Sequence, residues 1–101
     1  MKVVYNTCFG GFSISRECAE WMADHGNKEC IAMLAEELAD ELEFYGGLDN
    51  TPRHDAILVL AVEHLGTKRA SGSHAALEVY ELEDTRYYID EYDGTETVVE
   101  P

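Results

Sequence analysis

Hydrophobic residues form a short continuous run near the N-terminus, follow a helical period through the middle of the chain and follow a period of two near the C-terminus. Residues 3–5 form a short apolar run typical of a strand, and Gly10 and Gly11 interrupt the chain after it. From Ala76 the period changes to two, which predicts strands over residues 76–82, 87–92 and 95–99. Asp93 and Gly94 stand between the last two strands and are the strongest hairpin signal in the chain.

The middle of the chain predicts three helices, because each apolar run there follows an N-cap residue and precedes a glycine. The cap and stop residues of the three helices are Ser15 and Gly26, Asn27 and Gly46-Gly47, and Asp55 and Gly66. The second helix has an apolar stripe made of Ile31, Leu34, Leu38, Leu42 and Tyr45. The third helix is apolar on more than one side, which predicts that it is the central and most buried one.

This order, β-α-α-α-β-β-β, predicts an α+β fold in which residues 1–101 form a single domain. We expect an antiparallel sheet of about four strands, with helices packed on one face and solvent over much of the other. The composition is 46% hydrophobic and 10% aromatic with two prolines, which is sufficient for a packed core and argues against disorder.

Charge limits the class of partner. The chain has 21 acidic and 7 basic residues, hence a formal net charge of −14. Duplex DNA carries one charge per ~1.7 Å of axis, so the same charge corresponds to about 24 Å of duplex. Such a surface repels nucleic acid and anionic membranes and attracts basic surfaces. We therefore expect a basic nucleic-acid-binding protein or complex as partner, with no direct binding to nucleic acid or membrane.

Two acidic clusters are the candidate partner-binding residues. The polar side of the second helix and the C-terminal strands supply them: Glu36, Glu37, Asp40, Glu41 and Glu43, then Glu78, Glu81, Glu83, Asp84, Asp90, Glu91, Asp93 and Glu96. In a strand, side chains two apart share a face, so Glu91 and Asp93 are expected to line up. Two interpretations stay open: a solvated face with charged edges that prevent strand aggregation, or a surface that imitates a nucleic-acid backbone.

Candidate catalytic and metal-binding sets are weak. Cys8 precedes a glycine-rich turn, but a Cys-x5-Arg phosphate loop needs arginine at position 14, where the chain has Ile14. The three cysteines form no Cys-x-x-Cys pair, and the histidines have no zinc-type spacing. We therefore predict no catalytic residues, no metal and no cofactor. Reduced thiols, together with the lack of a signal peptide or a membrane-length apolar stretch, predict a cytoplasmic protein.

Two segments, residues 3–15 and 88–96, resemble a family of small, largely uncharacterised proteins of tailed bacteriophages and prophages. The similarity consists of an N-terminal Asn-x-Cys-aromatic-Gly-Gly-Phe motif and a Tyr-Asp-Gly turn near the C-terminus; residues 53–55 and 62–66 also fit. The chain departs from the family at Tyr5, at Ala56 and at Thr97-Val98. The resemblance implies a phage origin and the host cytoplasm, and it supplies no catalytic residues.

Phage origin and acidity together predict an inhibitor of a bacterial defence system. In this hypothesis the protein is anti-CRISPR-like and occupies a basic nucleic-acid site as a DNA mimic. A second hypothesis is a binder that sequesters a nucleotide immune signal in a pocket formed by Asn6, Cys8, Gly10, Gly11 and Arg53. A third is a structural or regulatory phage protein without inhibitory role. The protein is expected to be a monomer or a homodimer.

Overall fold

The structure is a computed structural model that describes the backbone of residues 1–40 and 47–101 and the side chains of residues 1–35 and 47–101. It has the predicted α+β class and element order. The elements are β1 (Lys2–Asn6), α1 (Arg16–Asp24), α2 (Lys28–Asp40), α3 (Ala56–Ala70), β2 (Leu77–Glu81), β3 (Tyr88–Tyr92) and β4 (Thr95–Val99).

All three predicted helix caps are confirmed. The side chains of Ser15, Asn27 and Asp55 each accept a hydrogen bond from the main-chain N–H three residues later, at 2.9–3.0 Å. Such caps satisfy N–H groups that have no partner within the helix. The helical stretch predicted to stop at Gly66 bends there, where φ is +84°, and helix then continues to Ala70.

The predicted apolar stripe of α2 is wrong at its first position. Ile31 is 49% exposed, whereas Cys30 is fully buried and Leu34 packs against the core. Residues 30 and 34 are one helical turn apart, and position 31 is rotated by about 100° from position 30, which turns it toward solvent. The structure does not describe the side chain of the predicted stripe residue Leu38. The other predicted positions, Leu42, Tyr45 and the stop at Gly46, lie wholly outside the described residues.

The prediction for α3 is confirmed in its central position. This helix contacts α1 and both β1 and β2. Its buried residues are Leu58, Val59, Ala61, Val62, Leu65 and Ala70. Leu60 is 54% exposed, so the apolar surface of α3 does not continue around the whole helix.

The strands form two antiparallel ribbons rather than one continuous sheet. β1 pairs with β2, with Val4 opposite Val79, and β3 pairs with β4, with Asp90 opposite Thr97. β1 and β4 are in contact. Where they meet, the N–H of Asn6 donates to the carboxylate of Glu96 at 2.9 Å. A side chain thus takes the place of a strand-to-strand hydrogen bond.

Neighbouring valines in β1 belong to two different cores. Val4 packs on the helices in the main core, while Val3 joins a smaller cluster with Leu82 and Val98. Successive residues of a strand point to opposite faces, so both faces of β1 are covered. The face expected to lie in solvent is instead covered by the β3–β4 ribbon.

Candidate functional site

The side chain of Asn6 makes four hydrogen bonds to three residues. Its Nδ2 donates to the carbonyl oxygens of Cys8 at 2.7 Å and of Gly94 at 2.8 Å. Its Oδ1 accepts from the main-chain N–H of Cys8 at 3.2 Å and of Ala76 at 2.9 Å. A carboxamide has two N–H donors and two acceptor lone pairs. All are used within the chain, and the residue is fully buried.

The β3–β4 turn packs directly on the glycine-rich loop. Asp93 and Gly94 both have positive φ, +53° and +90°, as the predicted two-residue hairpin requires. A Cβ added to Gly94 would lie 2.0 Å from the carbonyl oxygen of Phe9 and 2.7 Å from the nitrogen of Gly11. Residues near the two ends of the chain therefore meet at one junction.

Arg53 and Glu96 close the other side of this junction. The guanidinium donates two hydrogen bonds to the carboxylate, at 2.5 and 2.8 Å, and lies 3.6 Å from the centroid of the Phe12 ring. The carbonyl oxygen of Arg53 accepts from the N–H of Val4 at 2.8 Å. Together with the bond from Asn6 to Glu96, this covers the edge of β1 that does not pair with β2.

The predicted ligand-pocket residues thus lie close together, but their polar groups and the space beside them are taken up by other residues of the protein. Arg53 is held by Glu96, and a Cβ on Gly10 would lie 2.1 Å from the carbonyl oxygen of His74. A nucleotide phosphate at Arg53 would have to displace a carboxylate that is only 7% exposed. Glu96 was also predicted to contact a partner. That prediction is wrong, because Glu96 is buried in the ion pair.

Seven of the predicted partner-binding acids are exposed. They are Glu78, Glu81, Glu83, Asp84, Asp90, Glu91 and Asp93. The predicted helix cluster, with Glu36, Glu37, Asp40, Glu41 and Glu43, lies outside the described side chains.

Cations accompany some of the exposed acids. Glu81 is opposite Lys2, whose ammonium donates to Glu63 at 2.6 Å. The hydrogen bond and charge of Glu63, with a smaller contribution from Glu81, raise the pKa of Lys2. Arg86 lies 3.7 Å from Asp84. These two acids consequently belong to mixed-charge surroundings.

Glu100 anchors the C-terminus. Its carboxylate accepts from the hydroxyl of Tyr80 and from the N–H of Glu83, both at 3.0 Å. The hydrogen bond from the Tyr80 hydroxyl, together with the charge of Glu100, raises the pKa of Tyr80. The sequence reasoning missed this role for Glu100.

Strand β3 is the most exposed strand. Asp90 and Glu91 are exposed there, as is Asp93 in the turn, and none of the three takes part in an ion pair that the structure describes. Tyr88 and Tyr92 are 56% and 82% exposed. These two tyrosines were missed as surface residues, although the alternation around Asp90 places them on its face.

A surface cleft of about 380 Å³ lies where α2 and α3 begin, between Asn27, Thr51 and Asp55. Its polar groups also serve the fold. The carboxylate of Glu29 accepts from the N–H of Asp49 at 2.8 Å and from the hydroxyl of Thr51 at 2.7 Å. Thr51 in turn accepts from the Nδ2 of Asn27 at 3.2 Å. The side chains that line the cleft therefore hold the loop before α3 in place.

Three sulfur-containing side chains lie together in the core between α1 and α2. The thiols of Cys18 and Cys30 lie 3.9 and 4.0 Å from the sulfur of Met22. Burial raises the pKa of Cys18 to about 12 and that of Cys30 to about 11, so both are unreactive thiols. Among the described residues, no three His, Cys, Asp or Glu side chains are arranged to hold a metal ion.

Comparisons of the chain with protein families, curated proteins and solved structures give no significant match. In the described part of the chain, no helix has both the length and the apolarity needed to cross a bilayer.

Proposed function

We propose that the protein is a non-enzymatic, acidic binding protein that occupies a basic nucleic-acid site on a host protein or complex. In this proposal it is phage-encoded and inhibits a bacterial defence system in the manner of an anti-CRISPR protein. The phage origin is supported by the motifs around Asn6 and Gly94. The inhibitory mode is supported by the charge of −14.

One observation supports the proposal most: the carboxylates of Asp90, Glu91 and Asp93 follow one another along an exposed strand and turn without a described ion pair. Negative charge concentrated on one exposed strand and turn opposes the compact state through self-repulsion. Binding in a basic cleft would relieve that repulsion. Nucleotide sequestration is less well supported, since Asn6 and Arg53 already have their partners within the fold.

The proposed binding is electrostatic and therefore depends on salt. Exposed charges are screened beyond about 8 Å at physiological ionic strength. Charge complementarity of this kind mainly raises the association rate and selects the partner. We expect binding to weaken steeply between low and moderate salt.

A capture experiment from bacterial lysate tests the proposal. The wild-type chain is compared with the variant Asp90→Lys/Glu91→Lys and with the control Glu20→Lys/Asp24→Lys, which reverses two exposed acids on α1. Each double variant changes the net charge by the same amount. The proposal requires that the captured protein bind nucleic acid, that it be eluted by duplex DNA or RNA, and that it be lost only with the β3 variant. Equal capture by both variants, or a captured protein that nucleic acid does not displace, would contradict it.

A further inference from the structure

The outer edge of β3 carries main-chain groups without partners in the described structure. Tyr92 and Thr95 flank a two-residue turn and form a hydrogen-bonded pair, so the next such pair is Asp90 with Thr97. The N–H and C=O groups of Ile89 and Glu91 therefore point away from β4. No described residue donates to or accepts from these groups.

The side chains beside this edge alternate in a simple pattern. Tyr88, Asp90 and Tyr92 lie on the outer face of the ribbon, since they are two residues apart. Ile89 lies on the other face and packs into the cluster of Val3 and Val98. The outer face thus presents a carboxylate between two exposed tyrosine rings. A guanidinium or ammonium placed there would meet a charge and two aromatic faces.

We propose that β3 binds a basic, extended segment of the partner as an added strand. The free groups of Ile89 and Glu91 supply the main-chain hydrogen bonds, and an arginine or lysine opposite Asp90 supplies the charge. Edge-strand addition is a common way to bind extended peptides, with main-chain bonds giving affinity and alternate side chains giving specificity. The edge geometry is independent of the proposed function, but the sign of the partner's charge rests on it.

Charge also argues against a second copy of this chain as the occupant. Two copies of β3 paired antiparallel through Ile89 and Glu91 would place Asp90 directly opposite Asp90, with Cβ atoms about 5 Å apart. Like charges in such a pair are destabilising, and each copy has a net charge of −14. The same carboxylate favours a basic strand and disfavours self-association.

The test uses a short synthetic peptide of alternating arginine and threonine with blocked ends. Its matched control has the same sequence and charge but N-methylated main-chain nitrogens on the edge that would face β3. We expect the unmodified peptide to bind about tenfold more tightly than the control, because the control cannot donate hydrogen bonds to the carbonyl oxygens of Ile89 and Glu91. Amide NMR signals of Ile89 and Glu91 should shift and exchange more slowly.

A pair of variants separates the edge from the charge. Asp90→Asn removes the carboxylate that would face the arginine, while Glu91→Pro removes an N–H that does not face β4. Peptide binding should be weakened by the first variant and lost in the second. If the N-methylated peptide binds as tightly as the unmodified one, strand addition is refuted and the electrostatic function stands.

Binding of neither peptide would also refute strand addition, and the lysate experiment then decides the proposed function separately. If the amides of Ile89 and Glu91 exchange more slowly in the chain alone as the protein concentration rises, the strand added at β3 is a second copy of this chain and the proposal of a basic strand is refuted.

Discussion

Glu91 and Glu96 are directly opposite each other across the β3–β4 ribbon, yet Glu91 is exposed and Glu96 is buried, with 7% of its surface accessible. Both belong to the ribbon face that also carries Ile89 and Val98. Glu96 lies where the ribbon meets β1, so Arg53 and the N–H of Asn6 hold its carboxylate. Glu91 lies beyond that contact. The same residue type thus serves the fold at one position and the surface at the other.

Replacing Glu96 should destabilise the protein. Glu96→Gln leaves Arg53 without its counter-charge, and we expect a loss of about 2–3 kcal/mol in the free energy of unfolding. This is less than the roughly 3–5 kcal/mol of a fully buried pair, because the side chain of Arg53 is 21% exposed. Urea denaturation measures the loss. Glu91→Gln is the matched control and should change stability by less than about 0.5 kcal/mol; equal effects would show that the ion pair does not stabilise the junction.

Glycine at position 94 is required for two reasons that can be separated. Gly26 and Gly94 have similar φ values, +95° and +90°, but a Cβ at Gly26 meets nothing within 4 Å. Gly26→Ala should therefore cost only the backbone strain of about 1–2 kcal/mol. Gly94→Ala should cost about 1–3 kcal/mol more, because its Cβ overlaps the Phe9 carbonyl. Thermal denaturation of both variants tests this, and equal losses would mean that the turn does not rest on the loop.

Local signals in the sequence were sufficient for the elements but not for their assembly. Caps at Ser15, Asn27 and Asp55 predicted the helix starts correctly, because each cap acts on an N–H three residues away. The β3–β4 ribbon is held near β1 by contacts such as that of Glu96 with Arg53, which is 43 residues distant. No spacing rule connects such a pair.

The burial of Glu96 could have been predicted from its position in β4. Glu96 and Val98 are two residues apart in β4 and share a face, so an inward Val98 implies an inward Glu96. A carboxylate on an apolar face needs a cation, and few are present in this chain. The number of acids in residues 78–96 does not reveal this distinction, because an inward-facing acid counts the same as an exposed one.

Thiol reactivity should distinguish Cys8 from the other two cysteines. With pKa values of about 12 and 11, Cys18 and Cys30 hold at most about one thiolate per thousand molecules at pH 8, and both are fully buried. Cys8 is partly exposed. Iodoacetamide should modify Cys8 alone in the native protein and all three thiols in urea, as read by peptide mass spectrometry. The variant Cys8→Ser should show no fast labelling; rapid modification of Cys18 or Cys30 would contradict the buried sulfur cluster.

Salt should stabilise the free protein while it weakens the proposed complex. Self-repulsion among unpaired carboxylates opposes the compact state, and added salt screens it. We expect the Tm of the wild-type chain to rise by several degrees between low and moderate NaCl, since about 1 kcal/mol corresponds to roughly 4–8 °C in a domain of this size. The variant Asp90→Lys/Glu91→Lys should start from a higher Tm and gain less from salt. A Tm that falls with NaCl would show that described ion pairs such as Lys2–Glu63 outweigh the repulsion, and that the acids of β3 are not poised for a basic partner.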